Sequence, residues 1–389
     1  MKRWLTRNLV LLTLVSLAQD AASELLYPLL PYLVTAGVVG GAPFALGLIE
    51  GCAEAAAGFT KLYSGRKSDQ WGRKPFVITG YTLAGIGKAF VIFGRSWGYI
   101  FAGRITDRIG KGLRSAPRDA LIHDSVPAEH LGKAFGFHRT GDNLGAVIGP
   151  LLALAALSML NGDVRAVAQW ALIPAALSAL LTLVVKEIRT PKSPGVEKVK
   201  AAPLSTPMKR TIGILVLIQL TNIPDALLLL RLYDLDFTVQ QVVASYALYS
   251  LVTVIFAFPG GYLSDKFSPK IVYAAGLLAF AAAYATLGFT TSKSIALFAL
   301  ILYGIFPALT DGVGKAWISS MSDSDNRGRS QGVYQSSMNF AVLGAGIWGG
   351  ALWSDGSQQP VLIFAAVGAA CGALFFAGKY LLENLADRR

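Results

Sequence analysis

Cysteine, histidine and acidic residues are all scarce in this chain. Cys52 and Cys371 are the two cysteines in 389 residues, and both lie inside apolar segments, so neither a disulfide framework nor a thiolate metal site is indicated. The histidines His123, His130 and His138 group in the connection after the fourth apolar stretch at a spacing that offers no metal geometry. A titrating surface loop is expected there, and no metal ligand. A Walker phosphate loop is missing, which argues against direct ATP drive, and no cofactor is expected. Charge is thin, at 15% against about 25% in a soluble domain.

What is present is apolar. Hydrophobic residues make up 53% of the chain and the mean hydropathy is +0.51, the balance of a polytopic membrane protein. The net charge of +12 arises from 35 Lys and Arg against 23 Asp and Glu. These cations sit between apolar runs and not on one folded surface, so they set topology and do not point to nucleic acid.

Apolar runs of spanning length fall near residues 8–34, 43–63, 75–94, 97–117, 131–158, 165–186, 209–232, 239–262, 270–289, 294–320, 329–352 and 359–383. About twelve transmembrane helices follow. Lys2, Arg3 and Arg7 before LVLLTLVSLA imitate a secretory signal, but the run continues through Glu24 to spanning length and is expected to remain as the first helix. With the N-terminus inside, Arg66, Lys67, Arg73, Lys74, Lys133, Lys266, Lys270, Arg327 and Arg329 all fall on the cytoplasmic side. Only Arg95, Arg165, Arg231 and Lys293 remain outside, as the positive-inside rule requires. Both termini are expected in the cytoplasm of a bacterial cell, with the protein a monomer among the lipids of the plasma (inner) membrane.

The stretch from Lys186 to Arg210 is rich in Pro, Lys and Ser and has no apolar face, so it reads as a linker. It divides the chain into an N-terminal six-helix bundle over 1–188, a cytoplasmic linker over 189–208 and a C-terminal six-helix bundle over 209–389. The halves repeat. Gly65-x-x-x-Asp69 with Lys74 returns 196 positions later as Gly261-x-x-x-Asp265 with Lys270, and Gly132-Lys133-x-x-Gly136 returns at the same displacement as Gly328-Arg329-x-x-Gly332. Thr106-Asp107-x-x-Gly110-Lys111 returns 204 positions later as Thr310-Asp311-x-x-Gly314-Lys315, which implies a shorter turn after the tenth helix than after the fourth. Two parallel bundles related by an axis along the membrane normal are implied.

On these motifs the chain resembles the major facilitator superfamily over essentially its whole length. Gly65-Arg66-Lys67-Ser68-Asp69-Gln70-Trp71-Gly72-Arg73-Lys74 is similar to that family's signature between helices two and three. Arg104-x-x-Asp107-Arg108-x-Gly110-Lys111-Gly112 resembles its fourth-helix motif around a buried Arg, with Asp107 where Gln is usual. Gly145-x-x-x-Gly149-Pro150 resembles the fifth-helix motif of its antiporters, and Pro28-x-x-Pro31 a pattern of its exporters. The resemblance implies an all-α fold of two pseudo-symmetric six-helix bundles and transport by alternating access. It also implies that Gly65, Asp69, Gly72, Arg73, Lys74, Gly145, Gly149, Pro150, Gly261 and Asp265 take part in gating. Physically, short glycine loops let helix ends approach, Asp69 can accept from a helix N-terminus, and Gly141, Gly145 and Gly149 give small-xxx-small spacing.

The chain is organised around Phe101 to Asp119. At ~100° per residue, Arg104, Asp107, Arg108, Lys111, Arg114, Ser115 and Arg118 share an arc of roughly 120°. A cation at the bilayer centre costs at least ~2.5 kcal/mol, so this helix must line a wet cavity or meet carboxylates. At ~1.5 Å of rise per residue, Asp20 and Glu24 lie ~18 and ~24 Å from the inner end of the first helix. Glu50 and Glu54 lie ~10 and ~16 Å below the outer end of the second, level with Arg104 and Arg108 of the fourth. Because helices one and four face the cavity together in the resembled fold, the expected pairs are Glu24 with Arg104 and Asp20 with Arg108, with Glu50 and Glu54 as neighbours or competitors.

Acids (Asp20, Glu24, Glu50, Glu54, Asp107, Asp142) outnumber bases (Lys88, Arg104, Arg108, Lys111) in the first half, so at least one carboxylate is expected to hold a proton. Those six acids are the proton-coupling candidates, with Asp20, Glu24 and Glu54 ranked first. A fixed ionic network that sets helix register is the competing reading. Arg114 and Arg118, beside Pro117, are expected near the inner surface as gate or lipid contacts. Lys88, Arg104, Arg108, Lys111 and Asn143 are substrate-binding candidates, joined in the charge-poor second half by Asn222, Asp225, Asp311 and Asn339. Asp311 and Lys315, at i and i+4, read as a private pair.

The function expected is a secondary active transporter, a proton-coupled antiporter exporting small organic molecules. The alternative is a proton-coupled symporter taking up an anionic or zwitterionic solute, its charge received by Arg104, Arg108 and Lys88. A non-transporting sensor or scaffold has no appended soluble domain to support it. A membrane enzyme has only Glu50 and Glu54 in its favour, so an enzyme is not expected.

Overall fold

In a bilayer every backbone N–H and C=O must be satisfied within the protein, and helix is the only regular structure among the described residues. A computed structural model describes residues 4–36, 41–187, 204–322, 327–356 and 358–386. The chain forms two compact units, Met1–Val199 and Lys200–Arg389. Most of the linker expected over 189–208 lies outside the described residues. Its end does not: Ser205 accepts from Met208 N and starts a helix at Thr206, three residues before the expected boundary.

The first unit holds α1 (Arg7–Leu26), α2 (Pro43–Trp71), α3 (Arg73–Phe93), α4 (Trp97–Ser125), α5 (Leu131–Met159), α6 (Val164–Gln169) and α7 (Leu172–Val184). The second holds α8 (Thr206–Gln219), α9 (Asp225–Asp234), α10 (Val239–Lys266), α11 (Pro269–Phe289), α12 (Lys293–Ser320), α13 (Arg327–Ser354) and α14 (Gln358–Ala386). α6 and α7 are halves of one span, Val164–Val184. α8 and α9 flank a break at Thr221–Pro224, where Pro224 can donate no backbone hydrogen bond. Trp348 Nε1 donates to the Leu220 carbonyl at 2.7 Å there, which keeps a broken backbone satisfied.

Among the described residues, eight helical spans are long and apolar enough to cross a membrane on length and composition. α2 and α4, at 29 residues each, are not among them because of the charge they carry. Around the units, side chains such as Phe258, Phe289 and Leu374 are 70% exposed or more, a surface suited to lipid and not to water.

The two units repeat in one register. α2 to α5 begin at Pro43, Arg73, Trp97 and Leu131, and α10 to α13 at Val239, Pro269, Lys293 and Arg327, each 196 positions later. Contacts agree: Gly80 of α3 meets Arg114 of α4, and Gly276 of α11 meets Thr310 of α12. Likewise Ser64 of α2 donates to Gly112 O, and Gly260 of α10 lies against Ala308 O. The 204-position match of Thr106-Asp107 to Thr310-Asp311 is therefore a coincidence of composition. Asp107 corresponds to Tyr303, and no shortened turn follows the tenth span.

Within the first unit α3 and α4 approach so closely that a Cβ on Gly87 would stand 2.5 Å from Gly103 O and from Asp107 N. Lipid tails are as apolar as leucine, so contact of small residues, and not solvent exclusion, holds such helices together. Gly87→Leu is expected to push this seam apart and to destabilise the unit by about 1–3 kcal/mol, the usual cost of overpacking. A lowered thermal midpoint in detergent checks this; an unchanged midpoint would mean the seam contributes nothing.

Candidate functional site

The α3–α4 seam places Lys88 directly opposite Asp107. Lys88 Nζ donates to Asp107 Oδ1 at 2.9 Å, and Arg104 Nη1 lies 3.5 Å from Asp107 Oδ2. From α2, Glu50 takes Arg104 in a two-pronged contact, Nε to Oε1 at 2.7 Å and Nη2 to Oε2 at 2.8 Å. The guanidinium also lies 5.5 Å from the Tyr27 ring. Glu50, Lys88, Arg104 and Asp107 are each 4% exposed or less. Two acids and two bases thus neutralise one another across α2, α3 and α4, with the paired geometry that buried charge requires. One turn further in, Arg108 Nε lies 3.1 Å from Glu54 Oε1, and this pair is more open.

These contacts correct the expected pairing. Arg104 and Arg108 pair with Glu50 and Glu54 of α2, the acids expected as their neighbours or competitors. A Cβ on Gly149 would meet Glu24 Cβ at 2.9 Å, and one on Gly145 would meet Asp20 Cβ at 3.0 Å, so both acids lie along the crossing of α1 with α5. There Asp20 lies within electrostatic reach of Asp142 and of the cations Lys111, Arg114 and Arg118.

Arg114 is buried and Arg118 half-buried within the first unit. Pro117 sits inside α4 without ending it. Arg114 is buried with its guanidinium 4.6 Å from the Tyr81 ring, and Arg118 donates to Ser16 Oγ at 3.0 Å and pairs with Asp119. His138 is a second correction: it is buried on α5 and not in a loop. Its Nδ1 lies 3.5 Å from Thr13 Oγ1 and its Nε2 3.6 Å from Asp142 Oδ1, and Arg118 reaches Asp142 at 4.0 Å. His138 Nε2 and Asp142 Oδ1 are buried atoms without a hydrogen-bond partner, one small shift from bonding each other. Its spacing to Asp142, i to i+4 on a helix, was the signal that could have found it.

At the end of the bundle where the chain enters α1, the glycine signature is helix up to Trp71, and the single break is Gly72 at φ 96°, a conformation only glycine adopts freely. The side chain of Asp69 lies outside the described residues. The N-terminus of α3 is capped by Glu187, which accepts from Arg73 N at 3.0 Å and Lys74 N at 2.6 Å. Arg73 pairs with Asp124, and Lys74 Nζ donates to Leu183 O at 2.9 Å. In the second unit Lys270 pairs with Glu383, which is Glu187 shifted by 196 positions. Gly261 and Asp265 are exposed on α10 with open space at the glycine, and the close helix approach occurs one residue earlier at Gly260. Pro150 is buried within α5.

Of the second-half candidates, Asn222 and Asp225 meet a tyrosine cluster: Tyr303 OH donates to Asp225 Oδ1 at 2.6 Å and Tyr284 OH to Asn222 Oδ1 at 3.2 Å. Asp311 and Lys315 are exposed on α12. Asn143 and Asn339 are half-buried on α5 and α13.

The sequence model of the Major Facilitator Superfamily matches residues 12–230 and again 211–388. A Methanocaldococcus jannaschii protein described as an uncharacterized MFS-type transporter is 30% identical over 386 residues, covering 96% of this chain and 95% of that one. The multidrug resistance protein MdtL of Shigella flexneri is 23% identical over 299 residues, 74% of this chain and 73% of that one. A crystal structure of the nucleoside transporter NupG shares the fold with a TM-score of 0.79 at 14% identity, over 96% of this chain and 99% of that one.

Removing one partner of a buried pair strands the other charge, at about 3–5 kcal/mol. Lys88→Met is therefore expected to destabilise strongly, and Lys88→Met with Asp107→Asn to recover most of the loss in a detergent denaturation series. Equal loss in both would show that charge pairing is not what holds the seam. Glu187→Gln keeps the cap but not its charge, and a loss of about 0.3–1 kcal/mol is expected in the same assay.

Proposed function

The chain belongs to the major facilitator superfamily, and from that membership we propose that it is a proton-coupled antiporter exporting small organic molecules across the plasma (inner) membrane by alternating access. The observation that carries this reading is the α1–α5 crossing, where Asp20 and Asp142 both lie within electrostatic reach of Arg114 and Arg118, beside His138. Two carboxylates sharing cations can trade them as one takes a proton, and that is a switch with two states. The Glu50–Arg104–Asp107–Lys88 set lacks this freedom, because each member is buried with its partner within hydrogen-bond reach. In this reading it fixes the helices against which the switch works.

Export is supported by the Shigella flexneri relative, described as a multidrug resistance protein, and by the Gly145-x-x-x-Gly149-Pro150 stretch along the same crossing. The protein works as a monomer with both termini in the cytoplasm, the orientation favoured by the distribution of Lys and Arg.

Reconstituted protein tests the coupling. Wild type should move solute against a gradient when a pH difference is imposed, and Asp20→Asn should lose that drive while still exchanging solute for solute. Equal pH-driven flux in the two would refute the role of Asp20, and accumulation in the same direction as the proton would refute antiport.

A further inference from the structure

Of the four cations expected on the side away from the termini, three are committed to backbone carbonyls. Arg165 Nη2 donates to Gly94 O at 2.8 Å, Arg231 to Leu287 O and Thr290 O at 3.1 and 3.2 Å, and Lys293 Nζ to Asp236 O at 2.6 Å. Gly94 and Thr290 are equivalent in the 196-position register, so an arginine closes the end of α3 and of α11 alike. Arg95 is different. It is exposed, and among the described residues it has neither a hydrogen bond nor an ion pair.

Arg95 belongs to an apolar groove of about 560 Å³, which it lines with Gly94, Tyr99 and a stripe of α3 made by Ile86, Phe90 and Phe93. The stripe covers ~10 Å of helix and Arg95 follows directly after its end. Ile86, Phe90, Phe93 and Tyr99 are each at least 43% exposed, so they are not core. The fold does not require them either. At the equivalent positions the second unit has Ala282, Thr286, Phe289 and Ile295, with Thr291 in the place of Arg95. Trp97 and Tyr99, both exposed beside Arg95, put it at the level of lipid headgroups, where such aromatic residues gather.

These features choose a ligand class. An apolar wall calls for a hydrocarbon chain, which a free anion does not have. A cation at the headgroup end calls for negative charge, and no acid lines the groove. Asp163, two residues from Arg165, is engaged in capping α6, where it accepts from Arg165 N and Ala166 N. Arg165 brings a second positive charge to Gly94, which disfavours a headgroup that carries its own cation.

We propose that Arg95 and the stripe Ile86, Phe90 and Phe93 form a binding site for an anionic phospholipid, with the phosphodiester on Arg95 and an acyl chain along the stripe. The site is separate from the α1–α5 crossing and does not depend on the transport reading.

Native mass spectrometry of the full-length protein in detergent tests it, by titration with phosphatidylglycerol and with phosphatidylcholine of the same acyl chains. Wild type is expected to bind the first phosphatidylglycerol about fivefold more tightly, the contribution of one cation near a membrane surface. Arg95→Gln should remove that preference, and Phe93→Ala should weaken both lipids while the preference remains. Arg210→Gln, an exposed cation on α8, should change neither. Equal binding of the two lipids by wild type, or an unchanged preference in Arg95→Gln, overturns the proposal. So does an equal loss in Arg210→Gln, which would make the preference a matter of net charge, or unaltered binding in Phe93→Ala. Displacement of the lipid by glycerol phosphate would show a site for the free headgroup and would overturn it too.

Discussion

Charge buried within a membrane span has to be neutralised on the spot, and the two-pronged contact of Arg104 with Glu50 is where this chain meets that demand. α4 carries too many cations to face lipid. It is held instead between α2, which supplies Glu50 and Glu54, and α3, whose glycines come close enough for Lys88 to reach Asp107. Small residues and ion pairs therefore depend on each other. Without the seam at Gly87 and Gly103 the lysine could not reach the aspartate. Without the pairing, the seam would enclose bare charge.

The second unit repeats the backbone arrangement but not the chemistry. Register positions that are Glu50, Lys88 and Asp107 become Tyr246, Tyr284 and Tyr303, so ionic ties give way to ring contacts and phenol hydrogen bonds. What is retained lies at the helix ends. Glu187 and Glu383 occupy equivalent positions, the first capping α3 and the second pairing with Lys270 at the start of α11. A fold duplicated in outline has kept its end clamps and assigned different tasks to its middles.

Much of this was legible in the chain. The charged arc on α4 follows from helical periodicity, and depth counting placed Glu50 level with Arg104 and Glu54 level with Arg108, the pairs that form. Analogy to the resembled fold moved those arginines toward Asp20 and Glu24, because rise per residue gives depth and says nothing of azimuth. His138 was hidden by its grouping with His123 and His130 as one loop, although the span expected over 131–158 already contained it. The Thr310-Asp311 match misled because a six-residue motif recurs by composition, and helix starts and glycine contacts fix the register better. Glu187 stands at the end of a span, where no periodicity marks it.

The central claim is that the carboxylates of the first unit divide into a fixed set on α2 and α4 and an exchanging set, Asp20 and Asp142, at the α1–α5 crossing. Infrared difference spectroscopy of the lipid-reconstituted protein across a pH series reads protonated carboxyl groups directly. The expected result is a carboxyl band that titrates and is lost in Asp20→Asn or Asp142→Asn but kept in Glu54→Gln. A titrating band that survives both asparagine variants, or one lost only in Glu54→Gln, would contradict the division.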